Sequence, residues 1–280
     1  PDGNRFWLEV SGFTPGKDVG FQYLIDGTLK IADPYSTVVI DGSNDGYISS
    51  AVYPNLHKFP ASKTTGLVSL LSPAQTPYNW QDSSYKRPLK TDLVVYELLI
   101  RDFVATHSYK TLKDTLGYLK RLGINCIELM PIMEFEGNSS WGYNVSYHMA
   151  LDKYYGRGID FKAFIDACHQ NGIAVVLDIA LNHAFSQNSL AQMYWDAANS
   201  KPSKDNPWLN PDAKHPYNVG SDFNHESAAT KYYVDRVLKY WVEEFKIDGF
   251  RFDLSKGFTQ NNTGSDVGLW GKYDQSRINI

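Results

Sequence analysis

The 280-residue sequence has only two cysteines, Cys126 and Cys168, too few for the disulfide framework of a small secreted domain. Both lie inside apolar periodic segments, which predicts buried free thiols rather than a metal site. No run approaches the roughly 18 apolar residues that a membrane span needs. Positive charge is not in surplus: 27 basic and 31 acidic residues leave a net charge of −4. Neither a basic stripe for nucleic acid nor a polybasic membrane anchor is expected. The chain opens on Pro1-Asp2-Gly3 with no initiator Met or signal peptide, and reads as processed or excised. Aromatic residues are plentiful, with 19 Tyr and 7 Trp. Their flat faces and polar edges suit stacking on sugar rings, though a Tyr-rich core would look the same.

Residues 1–88 read as short strands and turns. Phe6–Val10, Phe21–Ile25 and Thr37–Ile40 are β-branched or aromatic runs, and Asp26-Gly27, Asp41-Gly42 and Asp45-Gly46 are turn signals. The pattern suggests a partial β-sandwich. Residues 72–91, with three prolines among Ser, Thr and Gln, suggest a linker crossing the surface. From residue 89 to 280 the pattern changes. Strands are expected at Leu93–Tyr96, Asn125–Met130, Ile173–Leu181 and Asp248–Leu254. Helices are expected at Thr111–Leu122, Phe161–Gln170 and Ser227–Phe245. Gly123 and Asn171-Gly172 would end the first two helices. Near-continuous apolar strands alternating with helices predict an α/β fold with a parallel sheet. Two long connections, roughly 132–160 and 182–226, follow strands, where a β/α barrel carries its site.

Polar clusters fall at three strand ends. Asp178 to Asn182 and His183 follow the third strand. Arg251 and Asp253, two residues apart, share one face of the fourth. Trp141-Gly142-Tyr143 follows the second. Taken singly, each has an ordinary structural explanation: an ion pair, a capping histidine, packing. Burying Asp178, Arg251 and Asp253 together would be costly unless they pair. Their convergence on one rim favours a functional reading.

Asp178-x-x-x-Asn182-His183 and Gly249-Phe-Arg251-x-Asp253, with Gly142-Tyr143 in the second long loop, resemble the motifs of the α-amylase superfamily. Tyr23–Gly27 with Ala32–Tyr35 is similar to the β-sandwich that precedes the barrel in branching enzymes, isoamylases and pullulanases. The resemblance implies the first half of a (β/α)8 TIM barrel, four βα units, preceded by a partial immunoglobulin-like β-sandwich. It also implies a retaining glycoside hydrolase acting on an α-glucan such as starch or glycogen. Asp253 would be the nucleophile, and Arg251 would keep it ionised. His183 would bond sugar hydroxyls, Tyr143 would stack under the reacting sugar, and Asp178 would brace Arg251. Trp141 would belong to the substrate-binding set. No cofactor is needed for the chemistry. Asn182 matches a calcium ligand of many relatives, so a structural calcium is the one ion implied.

The pattern departs from the family at one point. A retaining enzyme needs a second carboxyl group about 5–5.5 Å from the first, and the family places that Glu on a fifth strand. No Glu follows Glu244. Glu97, Glu128, Glu134 and Glu136 lie on earlier strands or in the loop after the second, where they read as structural or loop charges. The expectation is therefore a piece of a longer protein, lacking the C-terminal half of its barrel and inactive alone. An α-1,4-acting enzyme is expected first, an α-1,6 debranching or a branching enzyme second, and a non-catalytic glucan-binding relative third. Trp195, Trp208 and Tyr217 in the loop 184–226 could line further sugar subsites or mark rigid turns. The polymeric substrate and few cysteines suit an extracellular or periplasmic enzyme, and a cytoplasmic glycogen enzyme would look the same.

Overall fold

The computed structural model describes Gly3, residues 6–82 and residues 84–279. The N-terminal part is rich in short strands: β1 (Val19–Phe21), β2 (Tyr23–Ile25), β3 (Leu29–Ile31), β4 (Val39–Ile40) and β5 (Val68–Leu71). β5 runs antiparallel between β1 and β4, while β2 and β3 form a hairpin. Asp26 and Gly27, both at positive φ, make its turn. Gln22 interrupts the expected 21–25 strand because its side-chain amide turns away to the Thr65 and Leu67 carbonyls. The strand expected at Phe6–Val10 does not form. Phe6, Trp7 and Leu8 are exposed, and among the described residues no strand pairs with them, so their backbone has no ladder to join.

From residue 95 the chain alternates. β6 (Val95–Leu98) leads through α1 (Ile100–Phe103), α2 (Tyr109–Asp114) and α3 (Leu116–Arg121) to β7 (Cys126–Leu129). A hairpin of β8 (Met133–Phe135) and β9 (Val145–Leu151) follows, and α4 (Gly158–Gln170) returns to β10 (Ala174–Ile179). The next connection holds β11 (His183–Ala184), α5 (Ser189–Met193), β12 (Trp195–Asp196), β13 (Lys201–Pro202) and β14 (Ser221–Asp222). Then α6 (Ala228–Phe245) leads to β15 (Gly249–Phe252), with α7 (Val267–Trp270) and α8 (Gln275–Ile278) after it. Strands β6, β7, β10 and β15 lie side by side in that order, all parallel.

The helix expected at Thr111–Leu122 is two helices meeting at Thr115. Its hydroxyl donates to the Leu112 carbonyl at 2.7 Å, a local bond that competes with the helical ladder. Leu112, Leu116 and Leu119 are buried as the spacing predicts, but Leu122 is exposed. Helix α6 starts on the Ser227 side chain, which accepts from the Ala229 N–H, and ends on Lys246 in a left-handed conformation. Its buried stripe of Tyr233, Val237, Trp241 and Phe245 joins Phe161, Phe164 and Leu177 in one core. Each such large side chain contributes roughly 1.5–3 kcal/mol by leaving water. The other strand face is polar: Glu97 pairs in register with Glu128, and Asp178 with Arg251.

Asp82, Tyr85 and Arg87 are tied to the opposite end of the barrel strands. His169 bridges Asp82 (2.8 Å) and Asp248 (3.0 Å). Tyr85 stacks on His169 with ring centres 3.9 Å apart and donates its hydroxyl to Asp248 at 3.0 Å. Elsewhere, buried Lys153 pairs with Glu134 of β8 and Asp45 of the N-terminal part. Cys126 and Cys168 are buried free thiols.

Candidate active site

The alternation of β15 sends Phe250 towards the core and Arg251 to the polar face. The Asp253 N–H extends the ladder to the Ile179 carbonyl at 3.0 Å. The chain then turns sharply, with Leu254 at φ 44°. A left-handed leucine is a costly conformation, and it leaves Asp253 standing at the strand's end.

Arg251 organises the mouth. Its Nη1 donates to Asp253 Oδ1 at 2.7 Å and to both oxygens of Asp178 at 3.1 Å. Asp178 is fully buried, and its Oδ2 also accepts from the Tyr143 hydroxyl at 2.6 Å. Burial pushes the Asp178 carboxyl up, while Tyr143 and Arg251 oppose that rise. For Arg251, burial works against the charge, yet its bonds to Asp253 and Asp178 leave its pKa raised. The Tyr143 hydroxyl is pushed up by burial and then by Asp178, so it stays protonated as a donor.

Backbone geometry fixes Tyr143. Gly142 sits at φ 94°, and a Cβ there would lie 2.4 Å from the Pro131 carbonyl oxygen, so only glycine fits. His183 Nε2 lies 2.7 Å from the Tyr143 carbonyl. A carbonyl can only accept, so Nε2 carries the proton. Burial lowers the His183 pKa, leaving a neutral ring whose Nδ1 is buried without a partner.

The structure thus joins Asp178, Arg251, Asp253, Tyr143 and His183 into one hydrogen-bonded set. Trp141 does not enter it. It is exposed, with Gly142 at positive φ between it and Tyr143. Asn182 lies just behind the mouth, its side-chain oxygen and nitrogen both buried and unpartnered. Asp222 Oδ1 likewise has no hydrogen-bond partner, its nearest cationic neighbour being His215 Nε2 at 3.5 Å. Buried oxygen donors without partners suit a hard cation such as calcium. Sequence reasoning missed an acidic layer under Arg251. Carboxylate oxygens of Glu97, Glu128 and Asp178 lie within 4.8 Å of one another, and Glu128 is 4.0 Å from Arg251 Nε. The glutamates at like positions of two parallel strands were its only signal.

The family described as "Alpha amylase, catalytic domain" matches residues 106–223. The malto-oligosyltrehalose trehalohydrolase of Saccharolobus solfataricus is 28% identical over 88% of this chain and 40% of that protein. Isoamylase SU1 of Zea mays is 30% identical over 84% of the chain and 32% of its own length. The chain belongs to the α-amylase superfamily. Among solved structures, a Salmonella typhimurium protein assigned as an alpha amylase superposes with a TM-score of 0.67 at 26% identity, covering 91% of this chain and 38% of that one. Against the Group B Streptococcus pullulanase SAP the TM-score is 0.57 at 20% identity, over 81% of this chain and 32% of that one, a likeness of fold alone. The chain therefore spans about two fifths or less of these superfamily members. The four parallel strands are one half of a (β/α)8 barrel, preceded by a partial, strand-rich N-terminal part.

Proposed function

We propose that the protein containing this chain is a retaining glycoside hydrolase of α-glucans, with Asp253 as nucleophile. The observation carrying this reading is the Asp178–Arg251–Asp253 chain of bonds at the mouth of a parallel sheet, flanked by Tyr143 and His183. Asp253 attacks the anomeric carbon, the glycosidic bond breaks, and a covalent glycosyl-enzyme forms. Arg251 aims the attacking carboxylate and Asp178 holds Arg251. His183, fixed by its Nε2–H bond to the Tyr143 carbonyl, holds Tyr143 in place, and the Tyr143 ring supports the sugar as positive charge develops. The general acid is expected on a fifth barrel strand; Glu97 and Glu128 belong to the layer beneath Arg251 and are not assigned that role. A calcium held by Asn182 Oδ1 and Asp222 Oδ1 would stiffen the rim, with no part in bond cleavage.

On bond type, α-1,4 cleavage of starch- or glycogen-like chains is the first reading. Cleavage at α-1,6 links is the second, favoured by the likeness to Isoamylase SU1. Asp253→Asn in the full-length protein should lower hydrolysis of an activated α-glucoside by more than about 10³-fold with the thermal midpoint unchanged. Retained turnover would remove Asp253 as nucleophile. Products from amylose and pullulan separate the two bond types.

A further inference from the structure

Residues 179–182 carry the chain from the end of β10 to His183, and each of their carbonyls accepts from a different part of the fold. Ile179 accepts from the Asp253 N–H and Asn182 from the Phe223 N–H, both at 3.0 Å. Ala180 lies 3.1 Å from His148 Nε2, and Leu181 lies 2.8 Å from His225 Nε2. A carbonyl only accepts, so both imidazoles carry their proton on Nε2. Burial drives the pKa of His148 down to about 3 and that of His225 down to about 4. Near neutral pH each ring is therefore an uncharged donor. Ala180 and Leu181 lie outside any strand, so these imidazoles stand where a sheet ladder would otherwise fix the backbone.

His148 is the more firmly held of the two. It stands on β9 and is fully buried. With Nε2 donating, its Nδ1 accepts the Tyr233 hydroxyl at 3.2 Å. Its own carbonyl accepts the Trp241 indole N–H at 2.8 Å. Both partners belong to α6, which thereby fixes the ring's rotation and its place along the strand. His183 acts on the same ring through its charge and through its backbone, so the two histidines are near neighbours. Three residues past Ala180 the chain reaches His183, whose Nε2–H ends on the Tyr143 carbonyl.

We propose that His148 is a positioning residue for bond cleavage at Asp253: its Nε2–H pins the Ala180 carbonyl and so sets where His183, and with it Tyr143, stand at the mouth. The inference rests on the glycosidase reading. Losing the donor then costs aim and not substrate affinity, a loss that falls on kcat.

The test is steady-state kinetics of the full-length protein on an activated α-glucoside, taken well below each variant's melting midpoint. His148→Leu keeps apolar bulk without a donor and should lower kcat about 10²-fold, with KM within about threefold of native. His148→Gln can bring an amide N–H near the Nε2 position and should recover about tenfold of that loss. Tyr233→Phe frees the ring to turn and should lower kcat about threefold, which keeps the test decisive should His148→Leu fail to fold. Equal kcat in the Leu and Gln variants, a change confined to KM, or native kcat in Tyr233→Phe overturns the positioning role and leaves the glycosidase reading standing. A native protein that turns over no α-glucan overturns both.

Discussion

Strand β15 is flanked by two aspartates with opposite fates, Asp248 at its foot and Asp253 just past its mouth. At the foot, Asp248 Oδ2 accepts from His169 and from the Val175 N–H, and Oδ1 from Tyr85 and Arg87. The other nitrogen of His169 is taken by Asp82, which also binds Lys246 at 3.1 Å. Neither His169 nor Asp248 retains an unpartnered ring nitrogen or carboxylate oxygen. At the mouth, His183 Nδ1 and both polar atoms of the Asn182 side chain are buried and unpartnered, and Asp253 keeps a partly exposed carboxylate. Unpaired buried polar atoms cost about 1–3 kcal/mol each. A fold that closes its charge network at one end and leaves it open at the other has a use for the open end.

The contrast is sharpest in the matched pair Asp248→Ala and Asp178→Asn. Asp248→Ala strands His169, Tyr85 and the Val175 N–H in a dry site. It should cost about 3–5 kcal/mol of unfolding free energy, read by denaturant titration, with hydrolysis per folded molecule unchanged. Asp178→Asn removes a buried charge at the mouth, so stability should hold or rise, while Arg251 loses its ionic anchor. Activity of the full-length protein should fall on the order of 10²-fold, as expected when a positioning group shifts. If Asp178→Asn lowers the melting temperature as much as Asp248→Ala does, the two ends do the same work and the contrast fails.

Much of the mouth could be read in advance because strand alternation is a short-range rule. Two residues separate Arg251 from Asp253, and the pattern alone puts them on one face. The four barrel strands were visible for the same local reason, as apolar runs bounded by turns. The foot was not. Asp248 and Asp82 lie 79 and 87 positions from His169, and no local pattern marks a lone acid in a Ser- and Pro-rich stretch as half of a buried pair. His169 stands in the last turn of α4, a place that is silent about its partners. The β8–β9 hairpin escaped notice because a fully buried strand such as Val145–Leu151 shows no alternation. Phe6–Val10 fails the other way: its residues favour a strand, but pairing is supplied by neighbours and not by the run itself.

The smallest expected effect concerns protons. Burial works against a charged His169, but its bonds to Asp248 and Asp82 outweigh that and raise its pKa. A raised folded pKa means that His169 contributes fully below its unfolded value of about 6.5, and that this contribution fades as pH climbs through the folded value. Burial also opposes ionisation of Asp82 and Asp248, yet hydrogen bonds, His169 foremost, hold both below the usual carboxylate range. Their contribution is complete above about pH 4 and is lost as pH falls through the lower folded values. The foot should therefore grip hardest between about pH 4 and 6.5. Raised carboxyls elsewhere, such as Glu134, where burial outweighs Lys153, also favour lower pH, so the melting curve of the native sequence alone does not isolate the effect. The gap in melting temperature between native protein and His169→Gln does: it should be widest near pH 5.5 and narrow as pH climbs through the folded value of His169. A gap independent of pH would mean that His169 is neutral and holds Asp82 and Tyr85 by shape alone. The foot would then differ from the mouth in packing and not in charge.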